Sequence, residues 1–177
     1  MEDVASVVKM LLLEKIAEMV LNKDTSLPYR RRVEVAIFKD GKVLLTKNKD
    51  KSTGDTWYGF PGGGTEGEKD SLAARNECLE EVGVDVSDLQ ATGVTHTQEG
   101  IGNKKGRAEK YRGSKTKMFV ALYKGVDKSR LGRDGDSVKY VWEDPEKAIP
   151  LLKDNKVNSE YRIDAVKYGA KLYSKAT

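Results

Sequence analysis

The chain has 177 residues, 38% of them hydrophobic and 34% charged, which suits one soluble domain with a genuine core and leaves little room for two. Thirty-two Lys and Arg against 28 Asp and Glu leave a net charge of +4, and nothing in this balance resembles a membrane protein. A single cysteine, Cys78, excludes an intramolecular disulfide and points to a reducing compartment such as the cytoplasm.

Residues 4–21 carry Val4, Val7, Val8, Leu11, Leu12, Ile16, Met19 and Val20 at helical spacing, which predicts an amphipathic helix. The start Met1-Glu2-Asp3 lacks the basic region of a secretory signal, and Lys9, Glu14, Lys15 and Glu18 interrupt any membrane span, so no membrane partner is expected. This helix packs on its own domain or pairs in a homodimer. Residues 1–27 are read as helix and linker, and 28–177 as a single domain. Past Pro28, Val33, Val35 and Ile37 alternate, then Asp40-Gly41 and a second apolar run complete the pattern of a β-hairpin. Arg30, Arg31 and Arg32 form either a solvated strand entrance or a contact for substrate phosphates. Residues 49–55 read as a polar loop.

After Pro61, the residues Gly62, Gly63 and Gly64 are read as a turn in which the main chain takes positive φ and comes close to a ligand. From Asp70 to Val82 the spacing is helical. Leu72, Ala74, Cys78, Leu79 and Val82 cover one half of the wheel, and Asp70, Ala73, Glu77, Glu80 and Glu81 the other. Gly83 is the stop, and Cys78 is read as core. Glu77, Glu80 and Glu81, at i, i+3 and i+4, share one patch, where like charges cost roughly 0.2–0.5 kcal/mol per pair. A hard divalent cation, which takes oxygen ligands together with substrate phosphates, compensates that repulsion. The plainer alternative is a solvated acidic face.

Residues 91–97 and 116–123 read as strands. Between and beside them, residues 102–117 hold seven Lys and Arg against Glu109 alone, a local charge of +6 that exceeds the chain's +4. Such a segment suits a phosphorylated partner, with RNA, stacked on Tyr111, as a further candidate. His96 is the sole histidine and makes no zinc site; it gains a substrate role only if its strand end reaches the glycine turn. A polar loop over 125–137 precedes a last strand at Val138–Trp142. Asp144-Pro145-Glu146 reads as a helix start with Asp as cap. The closing helix, 158–173, places Tyr161, Ala165, Tyr168, Gly169 and Leu172 at helical spacing.

The central stretch resembles the signature of the Nudix hydrolase family. Gly62, Glu68, Glu77, Cys78, Leu79, Glu80, Glu81, Val82, Gly83 and Val84 stand in its slots, led in by Trp57, Phe60, Pro61 and Gly63. Asn76 departs, standing where the family has an Arg that helps orient the neighbouring Glu. Arg75 does not stand in for it, because a 100° helical step turns it away from the carboxylates. Either Asn76 orients the site by neutral hydrogen bonds, or a Lys or Arg from elsewhere does so, or the enzyme is slow.

The resemblance covers roughly residues 32–150 and implies an α/β fold, an α/β/α sandwich with a mixed β-sheet between helices. It implies metal-dependent hydrolysis of a phosphoanhydride in a nucleoside diphosphate linked to another group. Glu77, Glu80, Glu81 and the Gly62 carbonyl would hold Mg²⁺ or Mn²⁺, with Glu77 or Asp136 as the base. Asp134 and then Glu99 stand behind Asp136 for that role. Glu68, Asn76 and Gly63 would brace the site, and Arg32, Lys104, Lys105 and Arg107 would meet the substrate. Nucleoside triphosphates, ADP-ribose, dinucleoside polyphosphates and capped RNA ends all stay open. A nucleotide-binding or regulatory module without turnover, and an RNA-binding protein using residues 102–117, are the readings from other classes.

Overall fold

The computed structural model describes residues 26–49, 53–100, 104–132, 139–154 and 159–174. The predicted N-terminal helix lies outside them, as do Asp134 and Asp136. By contacts the chain divides into two units, Met1–Arg30 with Gln98–Ser114 and Arg31–Thr97 with Lys115–Thr177.

The larger unit is an α/β/α arrangement with a mixed sheet flanked by helices. Strand β1 is Tyr29–Lys39, β2 Lys42–Lys49, β3 Thr56–Gly59, β4 Gly62–Gly64, β5 Val84–Glu99, β6 Gly113–Val126 and β7 Lys139–Glu143. The main path runs β3-β2-β1-β6-β5, with β4 also on β1 and β7 also on β2. The hairpin is formed as expected: Phe38 pairs with Val43 and Lys39 with Lys42, while Asp40 and Gly41 take positive φ of 48° and 75°.

Helices cover both faces, so the central strands are apolar on both sides. Val33, Val35, Ile37, Leu44, Phe119 and Ala121 pack against Ala73, Ala74, Cys78 and Val82 of the signature helix. Ala36, Phe38, Val43, Leu45, Met118 and Val120 pack against helix α2, Pro145–Lys153, and helix α3, Glu160–Tyr173, through Ala148, Leu152, Ile163, Ala165 and Val166.

Several expectations need correction. The signature helix is α-helical only as α1, Asp70–Glu77, and continues as a π turn, Cys78–Val82, before Gly83 closes it at φ 65°. Ala74, Cys78 and Val82 are buried as expected, whereas Ala73 of the other half is buried too and Leu72 is exposed. Gly62, Gly63 and Gly64 are not a positive-φ turn but an extended strand, pairing Gly62 with Glu34, Gly63 with Val33 and Gly64 with Arg32. Positive φ falls instead at Glu66 and Gly67. Strand β5 begins at Val84, well before residue 91. It ends the main path of the sheet and is mostly half-exposed, so polar residues and the positive φ of Asp88 and Gly93 disguise it. Asp144 heads α2, but its side chain pairs with Lys147 at 3.3 Å instead of capping. Tyr168 faces outward from α3.

In the smaller unit, Glu99 accepts hydrogen bonds from Tyr29 Oη and from Arg112, whose guanidinium also lies 4.8 Å from the centre of the Tyr29 ring. A 3₁₀ segment, Lys104–Glu109, contains Lys104, Lys105 and Arg107, and the Arg107 carbonyl accepts from the N–H groups of Lys110 and Tyr111.

Candidate active site

The site is built where β4 passes the signature helix. β4 is locked from below by its pairing with β1 and by the Val35 N–H donating to the Pro61 carbonyl at 3.0 Å. From above, the Gly62 N–H donates to Glu81 Oε2 at 2.7 Å. A methyl group built at Gly63 would fall 2.1 Å from Glu77 Oε1, so the carboxylate occupies the space that any side chain would take. A methyl at Gly62 would meet the Val33 carbonyl oxygen at 2.3 Å. Both glycines serve close approach: one to the backbone of β1, the other to a signature carboxylate.

The helix is anchored for this at its start. Asp70 bonds to Lys117 at 2.6 Å and pairs with Arg31, and the Lys117 bond, with Arg31 acting the same way, holds its carboxyl below the usual range. Arg31 is thereby engaged at the helix start. Arg75 donates to the Val86 carbonyl at 2.7 Å, away from the carboxylates as expected.

Of the two inward carboxylates, Glu81 is held at a cost. Burial pushes the Glu81 carboxyl up to about 7; the Gly62 N–H opposes this, Glu77 and Glu34 push it further, and Arg32 pulls it back. Arg32 carries a buried Nε with no hydrogen-bond partner among the described residues.

Residues to which the sequence reading assigned no site role complete this wall. Glu34 is 4% exposed and accepts from Arg162 Nε at 2.7 Å, from Arg162 Nη2 at 2.9 Å and from Tyr161 Oη at 3.2 Å. Burial works against the Arg162 charge, and the Glu34 bonds more than offset it, raising its pKa. His96 stacks on Tyr161, with centroids 4.3 Å apart and planes 4° from parallel, and burial lowers its pKa. The one available signal was a lone acid at position 34 within the otherwise apolar run from Val33 to Phe38.

Glu80 has its own partner. It accepts from Arg130 Nη2 at 2.9 Å, while Arg130 Nη1 donates to Asn76 Oδ1 at 2.8 Å and Asn76 Nδ2 donates to Glu68 Oε2 at 3.0 Å. The structure therefore brings Glu77 and Glu81 to β4, Asn76 and Glu80 to Arg130, and Glu68 to Asn76. Among the described residues no three His, Cys, Asp or Glu side chains form a ready metal cage. The donors nevertheless suit a hard cation that keeps several waters and takes only a few carboxylates: they are all oxygens, and Glu77 lies close enough to Glu81 to push its pKa up.

Comparison with known proteins identifies the family and the fold. The Nudix domain pattern matches residues 28–165. The chain belongs to the Nudix family. An RNA pyrophosphohydrolase of Gluconobacter oxydans (strain 621H) is 32% identical over 133 residues, 70% of this chain and 76% of the relative. A Nudix hydrolase structure from Nitrosomonas europaea superposes with a TM-score of 0.60 at 19% identity, covering 80% of this chain and 90% of that one. An ADP compounds hydrolase superposes at 0.62 with 22% identity, covering 85% and 76%. As a Nudix hydrolase, the protein cleaves a pyrophosphate linkage in a nucleotide-like substrate. Among the described residues no helix is long and apolar enough to cross a membrane.

Proposed function

We propose that this Nudix protein is a divalent-metal-dependent pyrophosphohydrolase that cleaves the phosphoanhydride of a nucleoside diphosphate linked to another moiety, with a 5′-polyphosphorylated RNA end as the substrate to test first. The observation that carries the reading is the Gly62 N–H bond to Glu81 together with the close approach of the Glu77 carboxylate to Gly63. Two acids pressed against a glycine strand, one of them with its pKa pushed up to about 7, make a site that gains from a cation. Support for an RNA end comes from the 32%-identical relative and from the +6 charge of residues 102–117.

Glu77, Glu80, Glu81 and the Gly62 carbonyl would hold Mg²⁺ or Mn²⁺. Such an ion, when bound, neutralises phosphate charge and lowers the pKa of a water. The Glu77 carboxylate takes the proton of the attacking water, with Asp136 as the other base to be tested. Arg32, whose charge already acts on Glu81, would add positive charge on the substrate side of the site. Glu34 and Arg162 keep β1 and α3 in register behind these groups.

The test is incubation with a 5′-triphosphorylated RNA oligonucleotide and Mg²⁺, followed by chromatography of the products. A 5′-monophosphorylated end that fails to form with Glu80→Gln supports the reading. Cleavage of ADP-linked compounds with the RNA left intact would move the substrate class away from RNA.

A further inference from the structure

Position 76 of the signature is occupied by a residue too short to reach Glu80 as a cation. Asn76 nevertheless takes part in a continuous chain of hydrogen bonds, Glu68 to Asn76 to Arg130 to Glu80, with every donor and acceptor between 2.8 and 3.0 Å. The polarity of the amide follows from its neighbours: the oxygen faces a guanidinium and the NH₂ a carboxylate, and a flipped amide would set like against like at both ends.

Arg130 is delivered by a segment docked onto the end of the signature helix. The Asp127 N–H donates to the Gly83 carbonyl at 2.9 Å, and the Gly132 N–H donates to the Glu80 carbonyl at 2.8 Å. Within the segment the Ser129 N–H donates to Asp127 Oδ1 at 2.9 Å, and the Leu131 N–H to the Lys128 carbonyl at 3.2 Å. The backbone of Glu80 is thus fixed by Gly132 and its side chain by Arg130, both from one loop 50 positions away in sequence. A planar guanidinium with two arms in use, one on Asn76 and one on Glu80, fixes orientation as well as charge.

We propose that Arg130 is the positioning residue for Glu80, supplying from the 127–132 loop the guanidinium that the signature helix lacks at position 76, and that Asn76 is the amide adaptor that seats it. The inference rests on the proposed role of Glu80 as a metal ligand. Arg130 bonds Oε1 of Glu80, and Oε2 is the oxygen that would take a cation.

Mn²⁺ binding by the full-length protein, read from the loss of the free-ion EPR signal, tests this without substrate. Arg130→Ala is expected to weaken Mn²⁺ binding about tenfold, in line with the usual cost of losing a partner behind a metal ligand. Arg130→Lys stays weakened, because it keeps the charge and loses the fork. Asn76→Arg in the Arg130→Ala background returns affinity to within about threefold of the parent, since an arginine at position 76 lies one turn from Glu80. A merely structural Arg130 would not be rescued from position 76. Unchanged or tighter Mn²⁺ binding in Arg130→Ala, the result for a guanidinium that simply blocks Glu80, would overturn the inference, as would a double variant no better than Arg130→Ala. Glu80→Gln separates the two levels: if it weakens Mn²⁺ and Arg130→Ala does not, only the inference fails. If Glu80→Gln leaves Mn²⁺ binding untouched, the metal role of Glu80 falls and takes the inference with it.

Discussion

Gly62 and Gly63 are neighbours in sequence with opposite consequences for substitution. At Gly62 the added methyl meets backbone, the Val33 carbonyl and the Glu34 Cα, which cannot step aside; Gly62→Ala should cost about 1–3 kcal/mol or more. At Gly63 it meets only the end of the Glu77 side chain, which can swing away. Gly63→Ala should therefore keep nearly the parent melting temperature and lose about 10²-fold in kcat, the scale expected for a displaced reacting group. Thermal melts and turnover assays on both variants check the contrast, and equal losses of stability would contradict it. Glu81 supplies the pH dependence. Its pKa rises from 4.5 to about 7 on folding, so between those values the native state binds more protons than the unfolded state. Without metal, stability should fall as pH rises through that window, and Glu81→Gln should flatten the slope. Metal binding requires the deprotonated carboxylate and should tighten over the same range. Melting temperature and Mn²⁺ affinity followed against pH measure both trends.

At the level of elements, the union of β1 and α3 is carried by a buried ion pair. Arg162 and Glu34 have side chains only 12% and 5% exposed, so breaking the pair leaves a charge stranded in a dry place. Arg162→Ala should cost about 3–5 kcal/mol by denaturant unfolding, far more than a surface pair would. A loss below about 1 kcal/mol would show that water reaches Glu34 freely. This union was not legible in the sequence. Val33, Val35 and Ile37 marked β1 by alternation, and Asp40-Gly41 marked the hairpin, since both depend on local residue chemistry. What Glu34 meets lies on a helix 128 positions away, and no local pattern carries that information. The signature helix shows the same division. Its start, its glutamates and the Gly83 stop follow from spacing, whereas the π turn at Cys78–Val82 and the approach of Glu77 and Glu81 to β4 do not.

For the whole molecule, the spacing from Gly62 to Val84 was enough to name a family, and the α/β/α arrangement followed from it. The reason is that signature spacing fixes a strand, a loop and a helix relative to one another. The departure at Asn76 was visible as a gap. Its filler, Arg130, sits in a polar loop where nothing distinguishes it from its neighbours Lys128 and Ser129, and only the folded backbone brings it to Glu80. The central claim, that the gathered carboxylates serve metal-dependent cleavage, is tested most directly by turnover. The full chain is incubated with 5′-triphosphorylated RNA, nucleoside triphosphates, ADP-ribose and dinucleoside polyphosphates, in Mg²⁺ or Mn²⁺, and the products are resolved by anion-exchange chromatography. The account predicts scission of a phosphoanhydride in at least one of these classes, stopped by a chelator and absent in Glu80→Gln. Silence across the panel, or cleavage that survives chelation and Glu80→Gln alike, would contradict it.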